Sequence, residues 1–248
     1  VLRRLQPVLR KGEWKVTVVL HKGNHDTATR VLDIFPGFHE GPLLGLAVDL
    51  GSTTIAGHLC DLTDGKVLAS SGLMNPQIRF GEDLMSRVSY AMMNPGGDVE
   101  MTRAVREAIN ALALAIAEEA KVDAALIYEL VLVCNPVMHH LFLGVDPVEL
   151  GQAPFALATS ASLSLDAREL ELSNLNRSAR VYVLPCIAGH VGADAAAALE
   201  HLVPVDVIDL APGRQRYAFF TNASGGILDD LMFVKTPPDA QAAGFGDV

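Results

Sequence analysis

The chain has 248 residues, of which 50% are hydrophobic, so it is long enough to bury a substantial core in one or two domains. Its net charge of -10 argues against phosphate-backbone binding, which rests on clustered lysine and arginine, and we expect no DNA or RNA partner. Cys60, Cys134 and Cys186 lie far apart, which predicts buried thiols in a reducing cytosol and therefore a cytoplasmic protein. Charge, proline or histidine interrupts every apolar stretch before about 18 residues, so no membrane span is predicted.

The first 40 residues alternate between apolar and polar character, which predicts two short strands, around 14–20 and 29–34. Pro36-Gly37 and Gly41-Pro42 then indicate a linker before the next apolar segment. We therefore expect residues 1–40 to be a small β-rich remnant of a preceding linker or middle domain. The chain opens without a methionine, which favours a fragment.

Residues 44–72 predict three successive strands that form an antiparallel meander. Its turns fall near 51–53 and at Asp64-Gly65, a common hairpin dipeptide. Helical periodicity follows, over about 82–93 and 101–120. The expected buried face of the second helix consists of Val105, Ile109, Leu112 and Ile116.

Strands and helices alternate after these helices. The apolar run 129–134 predicts a buried strand, and Asn135-Pro136 begins a helix that contains His139 and His140. A strand at 179–184 leads into an alanine-rich helix at about 192–202. Three antiparallel strands followed by strand-helix alternation predict a ribonuclease-H-like α/β half-domain over residues 44–200, with 201–248 as a separate segment.

The first turn of the meander has the composition of a phosphate site. Asp49 ends an apolar strand, and a carboxylate in that position can hold a hydrated divalent metal. Gly51 permits a tight turn, and the hydroxyl-bearing residues 52–54 offer hydroxyls and backbone N–H groups to anionic oxygens. The alternative is an ordinary hairpin whose serine and threonine side chains satisfy the turn itself.

The histidines in the second half of the chain favour structural roles over metal binding. His139 and His140 are adjacent, so they cannot both project from one helix face as a metal pair, and we expect one of them to pack in the interior. His190 falls in a glycine-rich turn, which favours a solvated position, and Asp194 near the next helix start complements the helix dipole.

Four stretches of this chain together resemble the C-terminal part of the reductive activators of corrinoid proteins. This family belongs to the superfamily of acetate kinase, sugar kinases, heat-shock proteins and actin, often called ASKHA. The resemblance covers about residues 1–198, and only its first stretch is common across the superfamily. The stretches are Val48 to Thr54, Asn75 to Asp83, Asn135 to Gly144 and Ile187 to Asp194.

The resemblance implies an ATP-dependent role in one-carbon metabolism. Its members add a [2Fe-2S] domain and use ATP to drive an electron onto the cobalt of an inactivated corrinoid protein. Asp49 would then be the catalytic residue that orients Mg²⁺ through water. The nucleotide-contacting residues would be Gly51, Ser52, Thr53, Thr54, Asn75, Gln77, Asp83 and Asn135. Asn75-Pro76 and Asn135-Pro136 are equally ordinary turn or helix-start dipeptides.

The chain also departs from the family. Its cysteines cannot hold an iron-sulfur centre, and no second Asp-x-Gly-Thr turn follows Asp194 to complete the nucleotide cleft. A half-domain of this kind exposes apolar surface, so we expect it to self-associate and to be inactive alone. The alternative is a binding module that docks on a corrinoid protein and turns over no nucleotide.

Residues 198–234 instead resemble an internal piece of the aminomethyltransferase family. The matching run ends in Gly225-Gly226-Ile227-Leu228-Asp229-Asp230, and too little of that fold is present to enclose folate. We therefore assign neither aspartate a catalytic role. The join near 195–199 is either a genuine fusion with folate chemistry or a chimeric gene, and the interruption of both folds favours the second.

Overall fold

The structure is a computed structural model, and it describes residues 1–22, 29–189 and 192 together with the strand backbone of three later segments. Its helices are α1 (Leu2–Lys11), α2 (Leu84–Met93), α3 (Gly97–Glu119) and α4 (Pro136–Leu143). Its strands are β1 (Val16–His21), β2 (Arg30–Pro36), β3 (Leu44–Leu50), β4 (Thr54–Asp61), β5 (Val67–Met74), β6 (Ile127–Cys134), β7 (Leu163–Asp166), β8 (Arg180–Val183), β9 (Val207–Ile208), β10 (Gln215–Thr221) and β11 (Asp230–Lys235). Short 3-10 helices lie at Pro76–Phe80, Ala124–Leu126 and Val148–Gly151.

The central element is a six-stranded sheet with the order β5-β4-β3-β6-β8-β7. The strands β3, β4 and β5 form the predicted antiparallel meander, and β6 and β8 continue the sheet in parallel with β3. This order is that of a ribonuclease-H-like half-domain of the ASKHA type. The edge strand β7, antiparallel to β8, was not predicted, because a four-residue strand leaves too short an alternation to recognise.

Burial explains why these segments form these elements. Every residue of β6 is buried, as expected for a strand inside a partly parallel sheet. Helix α3 packs on the sheet through the predicted residues Val105, Ile109, Leu112 and Ile116, all at most 1% exposed. The helix approaches closely at Gly57, where a Cβ atom would lie 2.8 Å from the Ile116 side chain. The same core includes α4 and the inward face of β3.

The N-terminal region is not simply β-rich. Strands β1 and β2 form an antiparallel hairpin, which confirms both predicted strands, and they are preceded by α1, a helix that the sequence analysis did not predict. Proline at position 7 lies inside this helix, where a sequence pattern argues against helix, because proline lacks the N–H that the interior of a helix uses. The hairpin joins the central sheet through Asp33, which accepts hydrogen bonds from Arg4 (2.7 Å) and from the Tyr128 hydroxyl (3.0 Å).

The segment after residue 200 is described only as strand backbone. The strands β9, β10 and β11 form an antiparallel sheet of their own. His190, Asp194 and Asp229 lie outside the described residues, as does almost all of the helix predicted at 192–202. Within the residues that are described, no helix is long and apolar enough to cross a membrane.

Candidate functional site

Asp49 lies in β3, just before the turn to β4, and has two neighbouring strands. Strand alternation buries Val48 and Leu50 in the core and directs Asp49 to the opposite face, where it is half-buried. Asp49 pairs in register with Ala56 of β4 and Val133 of β6. The predicted metal-binding carboxylate therefore lies at the carboxyl end of a central strand.

Three successive carbonyl groups of this turn accept hydrogen bonds from the protein. The Asn75 side-chain amide donates to the Gly51 carbonyl (2.8 Å), and the Asn75 backbone N–H donates to the Thr53 carbonyl (2.7 Å). The carbonyl between them, that of Ser52, accepts from Nη2 of Arg87. The turn is therefore held from one side by residues 24 and 35 positions away in sequence.

These contacts determine where the turn's N–H groups point. In a trans peptide the N–H lies opposite the carbonyl of the same peptide unit. Because the Gly51 and Ser52 carbonyls face Asn75 and Arg87, the N–H groups of Ser52 and Thr53 point away from them. Among the described residues, neither N–H donates to an acceptor. Consecutive N–H groups oriented outward form an anion-binding concavity.

Asn75 and Gln77 occupy the interior beside this turn, and both are fully buried. Asn75 caps the short helix Pro76–Phe80, because its Oδ1 accepts from the Gln77 backbone N–H (2.9 Å). The Gln77 side chain donates to the carbonyl of Met101 in α3 (2.9 Å). The structure thus places Asn75 against the turn, whereas it places the Gln77 amide against α3.

Arg87 is the residue of this site that sequence reasoning missed. Its side chain is fully buried, and it donates from Nε to the Gly81 carbonyl (2.9 Å) and from Nη1 to Oε1 of Gln77 (3.4 Å) and Sδ of Met138 (3.2 Å). Burial lowers the pKa of Arg87, and the charge of Asp83 opposes that effect. A signal was present, because Arg87 falls on the face of α2 that carries apolar residues four positions apart.

The two remaining predicted residues are helix caps. Asn135 accepts from the Met138 N–H (2.9 Å) and begins α4, and the register of Leu50 with Cys134 places it next to the Gly51 turn. Asp83 accepts from the Ser86 N–H (2.7 Å) and begins α2. Hydrogen bonding to Ser86 lowers the pKa of Asp83, whose side chain is exposed. The structure therefore brings Asn135 to the turn, and Asp83 supports it only through α2.

Both histidines of α4 are buried, which confirms the expectation of a packing role. His140 contacts the Pro136 carbonyl through Nδ1 (2.9 Å) and accepts from the Ala158 N–H through Nε2 (3.0 Å). Neither ring nitrogen of His139 has a hydrogen-bond partner in the part of the chain described. Burial, with a smaller contribution from His140, lowers the pKa of His139 from 6.5 to about 4.

The donor set near Asp49 suits magnesium better than a metal held by protein alone. No three histidine, cysteine, aspartate or glutamate side chains within the described residues come together to hold a metal. Magnesium keeps several waters and binds through one or two carboxylates together with substrate phosphates. The cysteines Cys60, Cys134 and Cys186 are each buried, as predicted.

Comparisons with known proteins point to one family. The family model described as the RACo middle region matches residues 44–202, and the RACo linker region matches residues 1–41. The corrinoid activation enzyme RamQ of Eubacterium limosum is 34% identical over 174 residues, which cover 70% of this chain and 29% of that protein. A solved reductive activator for corrinoid, iron-sulfur protein is 28% identical with a TM-score of 0.73, and the match covers 94% of this chain and 36% of that one.

The chain thus spans about a third of the length of these two relatives, at 29% and 36%. The middle-region match alone runs from residue 44 to residue 202, which is well over half of the sequence. On this evidence the chain belongs to the RACo family.

Proposed function

We propose that this chain contributes an ATP phosphate-binding turn to the reductive activation of corrinoid proteins. The observation that carries the proposal is the turn after β3, where three carbonyls accept hydrogen bonds from Asn75 and Arg87 and two N–H groups point away from these residues. Both named relatives are activators of corrinoid proteins by their descriptions, which supports the corrinoid protein as the partner.

In this proposal each residue has a separate task. Asp49 would hold Mg²⁺ through water, and the ion would neutralise charge on the phosphate oxygens when bound. The N–H groups of Ser52 and Thr53 and the hydroxyls of residues 52–54 would bind the phosphate oxygens. Asn75 would keep the turn in place, and Asn135 would line the neighbouring strand end. Gln77 and Asp83 would support these residues through α3 and α2.

ATP serves the family's chemistry by linking nucleotide binding to a change in the corrinoid environment, so that one electron can be delivered to cobalt. The [2Fe-2S] centre that the resemblance implies for longer relatives has no ligand set among Cys60, Cys134 and Cys186. We therefore assign these residues no role in electron transfer. The resemblance of residues 198–234 to an aminomethyltransferase stays a prediction, which a thermal-shift titration with tetrahydrofolate would test.

The test of the proposal is magnesium-dependent binding of ATP, measured by calorimetry on the whole chain. We expect Asp49→Asn to weaken Mg·ATP binding by at least tenfold, because it removes the charge that holds the hydrated ion, and to leave magnesium-free ATP binding nearly unchanged. Asp64→Asn is the matched control, since this exposed aspartate lies in the β4–β5 turn at the other end of the same strands.

Equal binding of Mg·ATP by the parent protein and Asp49→Asn would contradict the proposal. It would favour the alternative, a module that binds a corrinoid protein without using nucleotide. Co-purification with a corrinoid protein, measured with and without Mg·ATP, separates the two: a nucleotide-using activator changes its affinity for the partner when ATP binds, whereas a passive module does not.

A further inference from the structure

We infer that Arg87 positions the phosphate turn and places a buried positive charge behind it, without touching the ligand. This inference rests on the proposed phosphate-binding function and adds a residue that neither the motif nor the family resemblance identified. Arg87 would select for anionic groups at the turn, and its task would be separate from that of Asp49 on the metal.

The first argument is the nature of the partners of Arg87. All four acceptors of its guanidinium are uncharged: the carbonyls of Ser52 and Gly81, the amide oxygen of Gln77 and the sulfur of Met138. Among the described residues, Arg87 forms no ion pair within 4.0 Å. The charge of Asp83 acts on Arg87 only from beyond that distance. A buried cation normally has a close charged partner, so the guanidinium favours an anion nearby.

The second argument is the direction in which this charge acts. Nη2 of Arg87 donates to the Ser52 carbonyl, and the N–H of the same peptide unit belongs to Thr53. Donation to a carbonyl polarises the peptide and strengthens its N–H as a donor. The charge, the carbonyl and the outward N–H are therefore aligned toward the position where a phosphate oxygen would bind.

The third argument is that the contact is specific to arginine. Arg87 reaches acceptors in the turn (Ser52), after the short helix (Gly81), within it (Gln77) and in α4 (Met138). A lysine has one nitrogen and cannot contact four acceptors that surround a planar fork. The geometry thus ties the turn to three other elements of the half-domain through one side chain.

The experiment compares Arg87→Met and Arg87→Lys with Arg79→Met, all in the whole chain. Arg79→Met removes an equal charge from an exposed side chain that lies over the Phe80 ring, only eight residues before Arg87. Two quantities are measured: the Kd for Mg·ATP and for inorganic pyrophosphate, and the hydrogen-exchange rates of the Gly51 and Asn75 amides. These two amides are hydrogen-bonded to Thr54 and Thr53, so their exchange reports the order of the turn.

We expect Arg87→Met to weaken both ligands by about ten- to a hundredfold and to speed exchange of both amides by at least tenfold. Arg87→Lys keeps the charge but loses the planar fork, so its amide exchange should be nearly as fast as that of Arg87→Met. Its affinity for both ligands should lie between those of the parent protein and Arg87→Met. Arg79→Met should change neither quantity by more than about twofold. A purely structural role would lower stability without giving Arg87→Lys an affinity advantage over Arg87→Met.

The outcomes separate this inference from the proposed function. If the parent binds Mg·ATP and Arg87→Met binds it within twofold, the inference is overturned and the proposed function stands. If the parent binds neither ligand, the proposed function fails for this chain. The exchange rates test the positioning role separately: unchanged exchange in Arg87→Met overturns it, and accelerated exchange together with weakened ligand binding supports it.

Discussion

The two turns of the β3–β4–β5 meander lie at opposite ends of the same strands and are built in opposite ways. The β4–β5 turn is satisfied locally, because Asp61 accepts from Thr63 (2.7 Å) and Asp64 accepts from Lys66 (2.9 Å). The β3–β4 turn is held instead by Asn75 and Arg87, which come from elements beyond the meander. We call these the local turn and the held turn.

The difference shows what each turn requires. Local side chains satisfy the acceptors and donors of a turn whose only task is to reverse the chain. Among the described residues, the held turn leaves two N–H groups without acceptors. A turn of that kind keeps its shape only if other parts of the fold fix its carbonyls. External support is therefore the structural requirement for a turn that offers its N–H groups to a ligand.

Acidification should lower the unfolding free energy more than any other change considered for the held turn. The group responsible is His139, which is adjacent in sequence to Met138, the residue that Arg87 contacts. Burial gives the folded state a His139 pKa of about 4 against 6.5 in the unfolded chain. The unfolded state therefore binds the proton first, so stability falls as the pH drops from 6.5 toward 4 and levels off below. We expect this one group to remove about 3 kcal/mol of unfolding free energy over that window.

Urea unfolding at several pH values measures this effect. His139→Leu should flatten the slope of unfolding free energy against pH between 6.5 and 4, whatever its effect on stability at neutral pH. If the parent and His139→Leu lose stability in parallel across the window, the histidine is not the group responsible.

Removal of one support should destabilise the held turn more than removal of a local side chain destabilises the local turn. We expect Asn75→Ala to lower the unfolding free energy by about 2 kcal/mol, because it leaves the partly buried Gly51 carbonyl and the buried Gln77 N–H without partners. Asp64→Ala, the matched control, should cost less than about 0.5 kcal/mol, since its partner N–H is exposed to water. Urea midpoints at unchanged m-value test both numbers, and equal losses would abolish the distinction between the turns.

The sequence predicted the local turn better than the held one, for a physical reason. Asp64-Gly65 and Asn135-Pro136 carry their own turn and cap chemistry, so nearest neighbours suffice to predict them. The contact of Arg87 spans 35 positions and ends on a backbone carbonyl, which every residue possesses. No residue pattern records such a contact, and the same is true of Gln77, whose partner is the Met101 carbonyl.

Glycine substitutions sharpen the comparison by distinguishing conformation from contact. Gly65 has a positive φ of 77°, so we expect Gly65→Ala to cost about 1 kcal/mol and Gly65→Asn to cost about half as much. Gly51 has no such φ, but a Cβ atom there would lie 2.7 Å from the Thr54 carbonyl oxygen. Alanine and asparagine at position 51 should therefore destabilise the protein by similar amounts in thermal unfolding. If Gly51→Asn were clearly more stable than Gly51→Ala, as expected for the same pair at position 65, this distinction would be wrong.

Two buried thiols provide the smallest and most local measurement, because one lies near each of the two turns. Cys60 precedes the local turn, Cys134 ends β6 beside the held turn, and both are at most 1% exposed. Burial raises the pKa of Cys60, so labelling requires local opening. Asn75→Ala should speed alkylation of Cys134 about three- to tenfold in native buffer while Cys60 stays protected, as read by peptide mass spectrometry. Asp64→Ala should leave both rates unchanged within about twofold, because water replaces the lost local contact. If Asn75→Ala speeds alkylation of both thiols equally, the regions around the two turns open together. Asn75 then does not stabilise the held turn alone.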